Sequence, residues 1–166
     1  MPADTLYEDD IVAWAEQQAQ TIRELARTRP ELSNLLDWEN IAEEIETLGR
    51  SEWKGVASKL RVALEHILKA YCDPNALSCR VWEGETNRAL AEARDDYRPS
   101  MRQHIDIDAV WQSAFRLAAD TLRLYGVRIP PGIPPQSPFE LDQLLDTAFE
   151  HRTGLDALLG IASSSH

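Results

Sequence analysis

The chain predicts an all-α fold, a helical bundle of about five helices, on three observations. Apolar residues recur three and four positions apart over long stretches, no segment alternates with the two-residue period of a strand, and proline or glycine stands where those stretches end. No internal repeat interrupts this pattern. The 166 residues, 43% of them hydrophobic, are enough for one sizeable core. The expected organisation is a single helical domain over residues 1–152, followed by a C-terminal extension over 153–166 that is partly disordered.

A first amphipathic helix is expected from about Leu6 to Arg27, carried by Leu6, Ile11, Trp14, Ala15, Ile22 and Leu25, with Gln18 a polar exception. Pro30 stops it. Asp37 is a favourable N-cap for a long second helix, with Asn40 where a capping box would place Glu or Gln. Its core stripe uses Trp38, Ile41, Ala42, Ile45 and Leu48. The stripe resumes after Gly49, slightly out of phase, at Trp53, Val56, Leu60, Leu64, Ile67 and Tyr71. Unbroken, this helix would measure about 50 Å at ~1.5 Å per residue, against a diameter near ~40 Å for a compact domain of this length. Either Gly49-Arg50-Ser51 breaks it, with Ser51 capping the second half, or one end projects and is covered by another subunit. Glycine favours the kink or break.

Asp73-Pro74-Asn75 is a turn, since proline lacks the donor needed for helix continuation. A third helix follows from about Ser78 to Tyr97 and ends at Arg98-Pro99, with a short turn at Met101–His104. Asp106 or Asp108 then caps a fourth helix holding Val110, Trp111, Ala114, Phe115, Ala118, Leu122 and Tyr125, with Gly126 as its C-terminal signal. Five prolines between Ile129 and Pro138 make an extended, stiff strap. Ser137-Pro138-Phe139-Glu140 reads as a capping box that opens a short last helix to about His151.

Charge narrows the function classes. A formal net charge of −11, from 28 acidic and 17 basic residues, repels phosphate backbones, so nucleic acid is not an expected partner even through Arg50, Lys54, Lys59 and Arg61. The longest uncharged run, Ile129–Phe139, is too short and too rich in proline to span a bilayer. The opening MPADTLYEDD lacks the basic and apolar regions of a secretory signal, so a cytoplasmic protein is expected, with Cys72 and Cys79 as free thiols.

No pattern identifies a reaction. Glu39, Glu43 and Glu46 share one helix face, an arrangement that suits a metal or a proton-sharing pair, and equally a solvated face on which Glu46 pairs with Arg50. With His66 these three are the nearest approach to a metal set, and no cofactor is implied. The Glu-x-x-His motif of di-metal bundles is missing, because Ala63, Met101 and Ala148 stand three residues before His66, His104 and His151. His66 reads as partly buried and hydrogen-bonded, and His104 as exposed. Ser51 has no adjacent base, and neither a nucleophile elbow nor a glycine-rich phosphate loop occurs. The five tryptophans suit core positions, although charged neighbours make Trp53 and Trp82 suit an interface as well.

The second helix begins with Asp37, Glu39, Glu43, Glu44 and Glu46, and its later half carries Arg50, Lys54, Lys59, Arg61 and Lys69. The order suits the helix dipole. It also permits an antiparallel homodimer in which each acidic half faces the partner's basic half.

The run from Asp37 to Glu52, DWENIAEEIETLGRSE, closely resembles the signature of the domain of unknown function 29 family. Tyr7-Glu8-Asp9-Asp10 followed by Trp14, the Leu64–Lys69 segment and Pro138–Asp146 are similar to that family too, so the resemblance covers roughly residues 7 to 150. It implies an all-helical bacterial protein from a family abundant in cyanobacteria and without an established activity. It directs attention to Trp38, Glu39, Glu43, Glu44, Glu46, Arg50, Ser51, Glu52 and Trp53 as a candidate functional surface, with Gly49 as the break. Two readings follow: a non-enzymatic protein acting through homodimerisation or protein-partner binding, and a metal-binding or enzymatic bundle built on the carboxylate cluster.

Overall fold

The computed structural model describes residues 3–32 and 35–164, and these contain seven α-helices and no strand. The helices are α1 (Ala3–Asp9), α2 (Ile11–Thr28), α3 (Trp38–Cys72), α4 (Cys79–Asp96), α5 (Ile107–Leu124), α6 (Leu141–Leu145) and α7 (His151–Ser164). Short 3₁₀ turns cover Pro30–Leu32 and Pro99–Gln103. Contacts divide the chain into two compact units, one of Met1–Gly55 with Tyr97–Ile105, the other of Val56–Asp96 with Asp106–His166.

In the first unit the expected first helix is two helices. Asp10 leaves helical geometry at φ −151° and ψ 86°, and its carboxylate accepts the Ala13 N–H at 3.0 Å, so it ends α1 and caps α2. Across this corner the Tyr7 and Trp14 rings meet edge to face at 4.8 Å. The same carboxylate accepts the Ser100 hydroxyl at 2.5 Å and the Ser100 N–H at 3.2 Å, which fastens the Pro99–Gln103 turn to the start of α2.

Helix α3 runs 35 residues without interruption, and this corrects the break expected at Gly49. Glycine stands there because α2 lies against it. A Cβ at Gly49 would sit 3.1 Å from Ala15 Cβ and 3.6 Å from Val12 Cα. The buried line of α3 passes through small residues at every seventh position, namely Ala42, Gly49, Val56, Ala63 and Ala70. This period keeps a seam in register along a helix. Leu48, expected in the core, is 41% exposed, whereas Val12, Ala15 and Ala19 of α2 are fully or almost fully buried. Asp37 caps the helix, and Asn40 donates to its carboxylate at 2.5 Å in place of a reciprocal Glu.

The second unit packs α4, α5, α6 and α7 with the later part of α3 around Leu60, Leu64, Ile67, Leu68, Leu90, Trp111, Leu122 and Leu144, each no more than 2% exposed. Asp106, not Asp108, caps α5 by accepting two backbone N–H groups, and Gly126 ends that helix at φ +72°. The strap is pinned to α5 by the Trp111 indole N–H, which donates to Pro134 O at 2.9 Å, and by Asp108, which accepts the Ser137 N–H at 2.8 Å. The Ser137 hydroxyl binds Phe139 backbone instead of capping a helix. The last expected helix is therefore split: α6 starts after Glu140, whose N–H goes to Gln143 Oε1 at 2.8 Å, and stops where Asp146 turns extended and accepts the Ala148 N–H.

Residues 153–164, expected to belong to a partly disordered extension, lie within α7, with Gly154 against Ile67 and Phe149 and with Leu158 buried. Between α6 and α7, Arg94 donates to Leu144 O at 3.1 Å and to Phe149 O at 2.6 Å. Both cysteines are free thiols, and burial beside Asp73 pushes Cys72 up to about 11.

Two half-buried or buried imidazoles in this unit resist protonation. His151 sits 3.1 Å from the Thr86 hydroxyl, which itself donates to Trp82 O, so the Nδ1 of His151 carries the proton. Burial lowers its pKa, opposed by Glu83. His66 is lowered by burial and then by Lys69, and its buried Nδ1 has no hydrogen-bond partner, contrary to the bonded residue expected. Folded values below the usual 6.5 mean that stability is complete above that pH and is lost as pH falls through the folded values. The expected result is a lower melting temperature at pH 5 than at pH 7.5. A smaller difference in His151→Gln would assign part of it to that ring, whereas an unchanged difference would remove His151 from the account.

Candidate functional site

The sequence-selected residues of α3 separate into four groups. Trp38, half buried, donates its indole N–H to Leu32 O at 3.2 Å and has a structural task. Glu39 and Glu46, one face apart by two helical turns, both take the guanidinium of Arg23 from α2: Glu39 at 3.0 Å, Glu46 in a bidentate pair. Hydrogen bonds from Arg23 hold the Glu46 carboxyl below the usual carboxylate range, with burial opposing and Arg50 adding a distant attraction. Thus Glu46 pairs with Arg23, not with Arg50. Glu43, Glu44, Ser51 and Glu52 are exposed, and their side chains make no hydrogen bond or ion pair among the described residues.

This arrangement does not collect the candidate metal ligands. Glu39 and Glu46 bind a cation already present in the chain, Glu43 points to solvent, and His66 belongs to the other unit. Among the described residues no group of three or more His, Cys, Asp or Glu has a geometry that could hold a metal ion.

The remaining two residues, Arg50 and Trp53, meet Glu46 at a cleft of about 220 Å³ in the first unit. Val12, Ala15 and Gly49 form its apolar part, at the same close helix contact that requires the glycine. Glu16 from α2 and His104, just after the Pro99–Gln103 turn, complete it. His104 Nε2 lies 2.6 Å from Glu16 Oε1, and its ring stacks on Trp53 at 5.6 Å with the planes 15° apart. Lys54 lies 5.8 Å from the Trp53 ring centre. His104 is therefore held, half buried, between a carboxylate and an indole, and is not the exposed residue expected. Glu16, Arg23 and His104 went unrecognised because their partners lie 16 to 88 positions away in the chain.

The electrostatics of the cleft leave one group over. Glu46 is ion-paired with Arg23, which also takes Glu39, and Glu16 is engaged by His104, while the Arg50 side chain makes no hydrogen bond or ion pair among the described residues and attracts Glu46 only at a distance. An uncommitted guanidinium beside a stacked aromatic pair is suited to an oxyanion attached to a flat or apolar body. The lining includes no Ser, Thr, Cys, Tyr or Lys, so it offers none of the usual hydroxyl, thiol or amine nucleophiles.

An all-α protein whose most distinctive residues lie on one long helix is the class that this geometry defines. The chain belongs to the DUF29 family, a domain of unknown function, whose model matches residues 6–150. It is also similar to a crystal structure of an alpha-helical protein of unknown function from Rhodospirillum rubrum ATCC 11170, with 33% identity over 90% of this chain and 95% of that one and a TM-score of 0.82. Comparison with curated proteins yields no match. No helix among the described residues is long and apolar enough to cross a membrane.

Proposed function

We propose that the protein works by binding: it is a cytoplasmic helical module that engages a protein partner at the first-unit cleft and the open face of α3 beside it. The observation that carries this reading is Arg50, the cation of the cleft whose side chain makes no hydrogen bond or ion pair among the described residues, where both neighbouring carboxylates are already engaged. It takes a carboxylate of the partner, and the Trp53–His104 stack supports the apolar part of that side chain. Free thiols, one with a raised pKa, suit a reducing compartment.

A second copy of this chain, with its 28 acidic residues, is one such partner. In that form the antiparallel α3 pairing rests on Arg50 and Lys54, because Lys59 is taken by Asp96, and Arg61 and Lys69 by Glu65. The test follows the indole N–H of Trp53 in labelled protein, assigned with Trp53→Phe, during titration with N-acetylglutamate and with N-acetylglutamine. A saturable shift with the acid only, at least tenfold weaker in Arg50→Gln, is expected. An equal response to the amide, or none to either, removes the cleft as the binding site. Light scattering at low and high salt then tells a second copy from a different protein.

A further inference from the structure

The second unit carries a separate groove of about 550 Å³ between α5 and the proline strap, lined by Trp111, Gln112, Phe115 and Arg116 on one side and by Ile133, Pro134 and Pro135 on the other. Its volume falls within the range of roughly 300–1,000 Å³ usual for small-molecule sites. It is also preformed. Prolines fix the backbone of the outer wall, and the strap is tied down by the Trp111–Pro134 and Asp108–Ser137 hydrogen bonds.

Three sides of this groove are apolar: the Phe115 ring, the Ile133 side chain and the proline rings. Trp111 is 1% exposed and its indole N–H is already given to Pro134 O, so it backs the groove and offers it no polar atom. Two polar groups remain, Gln112 and Arg116, four residues apart and hence neighbours on one face of α5. Both are exposed, and neither makes a hydrogen bond or ion pair among the described residues. Arg123 on the same helix differs, being paired with Asp120 at 3.1 Å. A chain with 28 acidic against 17 basic side chains has left this guanidinium without a carboxylate among the described residues, beside an apolar groove.

We infer that the groove binds a small organic carboxylate with an apolar body. The Arg116 fork takes the carboxylate, the Gln112 amide donates to it, and the body lies against Phe115, Ile133 and the prolines. Charge selects the headgroup and the apolar walls select the tail, so neither acetate nor a neutral alkane derivative supplies both halves of the interaction.

Octanoate is the probe, titrated calorimetrically into the full chain beside methyl octanoate and acetate, with the Trp111 indole N–H followed in parallel. Expected are saturable binding of octanoate that shifts the Trp111 signal, at least tenfold weaker binding of the ester and of acetate, and a tenfold or greater loss in Arg116→Gln whose melting temperature is unchanged. Phe115→Ala should weaken octanoate and leave the small effect of acetate alone. Arg123→Gln, a change on the same helix outside the groove lining, should leave the Trp111 response to octanoate unchanged, and that response separates this site from the first-unit cleft. Equal binding of acid and ester, an unaltered affinity in Arg116→Gln, or no binding of octanoate would overturn the proposal.

Discussion

Leucine in place of Gly49 is expected to lower stability by about 2–3 kcal/mol, the cost of forcing extra methylenes into a well-packed contact. At roughly 2–4 °C per kcal/mol for a chain of this size, the melting temperature should fall by about 5–10 °C. The side chain would have to displace the backbone of α2, since Val12 Cα and Val12 O lie 3.6 and 3.7 Å from the Cβ position. Alanine behaves differently. Its Cβ needs only a few tenths of an ångström from Ala15, and replacing an interior helical glycine gains about 1 kcal/mol, so Gly49→Ala should be close to neutral. Thermal unfolding of the two variants checks both statements. If glycine served only to interrupt α3, both side chains would stabilise the protein, and a leucine variant as stable as the parent would remove close packing as its reason.

Asp10→Ala should cost about 3 kcal/mol. The change removes an N-cap, typically ~1 kcal/mol, and two further charge-assisted bonds from Ser100 that leave a half-buried N–H and hydroxyl without their acceptor. Burial raises the pKa of this carboxyl, but the Ser100 hydroxyl and the N–H groups of Ala13, Ser100 and Val12 outweigh it and lower the value below 3.8. The contribution is therefore complete above about pH 3.8 and disappears as pH falls through the folded value, a window well below that of the histidines. Urea titrations at pH 7 and pH 3 measure it. Since Asp10 and Ser100 share these bonds, the double variant with Ser100→Ala should lose less than the sum of the single ones, and strict additivity would mean that the pair is not coupled.

The helices were legible because their boundaries are written locally, in Asp37, Asp106, Gly126 and Pro74, each acting on backbone a few residues away. What the sequence hid was of two kinds. On the buried line of α3, Ala42 and Val56 belong to the expected stripe, whereas Gly49, Ala63 and Ala70 are small residues that a search for large apolar side chains passes over while it places Leu48 inside. Asp10 and Ser137 were misplaced because each has a competing local bond, the first breaking a helix and the second failing to start one. The candidate site was half legible. Glu46, Arg50 and Trp53 stand in the segment that resembles the family, whereas Glu16 and His104 come from distant parts of the chain and meet only after α2 has packed on α3.

Arg94 grips the carbonyls at both ends of the stretch from Leu144 to Phe149, so this connection has no end that can peel away first. Its release is all or nothing: the guanidinium must let go of two acceptors and accept water before either flank can move. In native-state hydrogen exchange the amides of α6 and of the first turn of α7 should then open as one cooperative step. The exposed residues Asp146, Thr147 and Ala148 present a peptide that a protease can reach and yet cannot draw out into an extended strand.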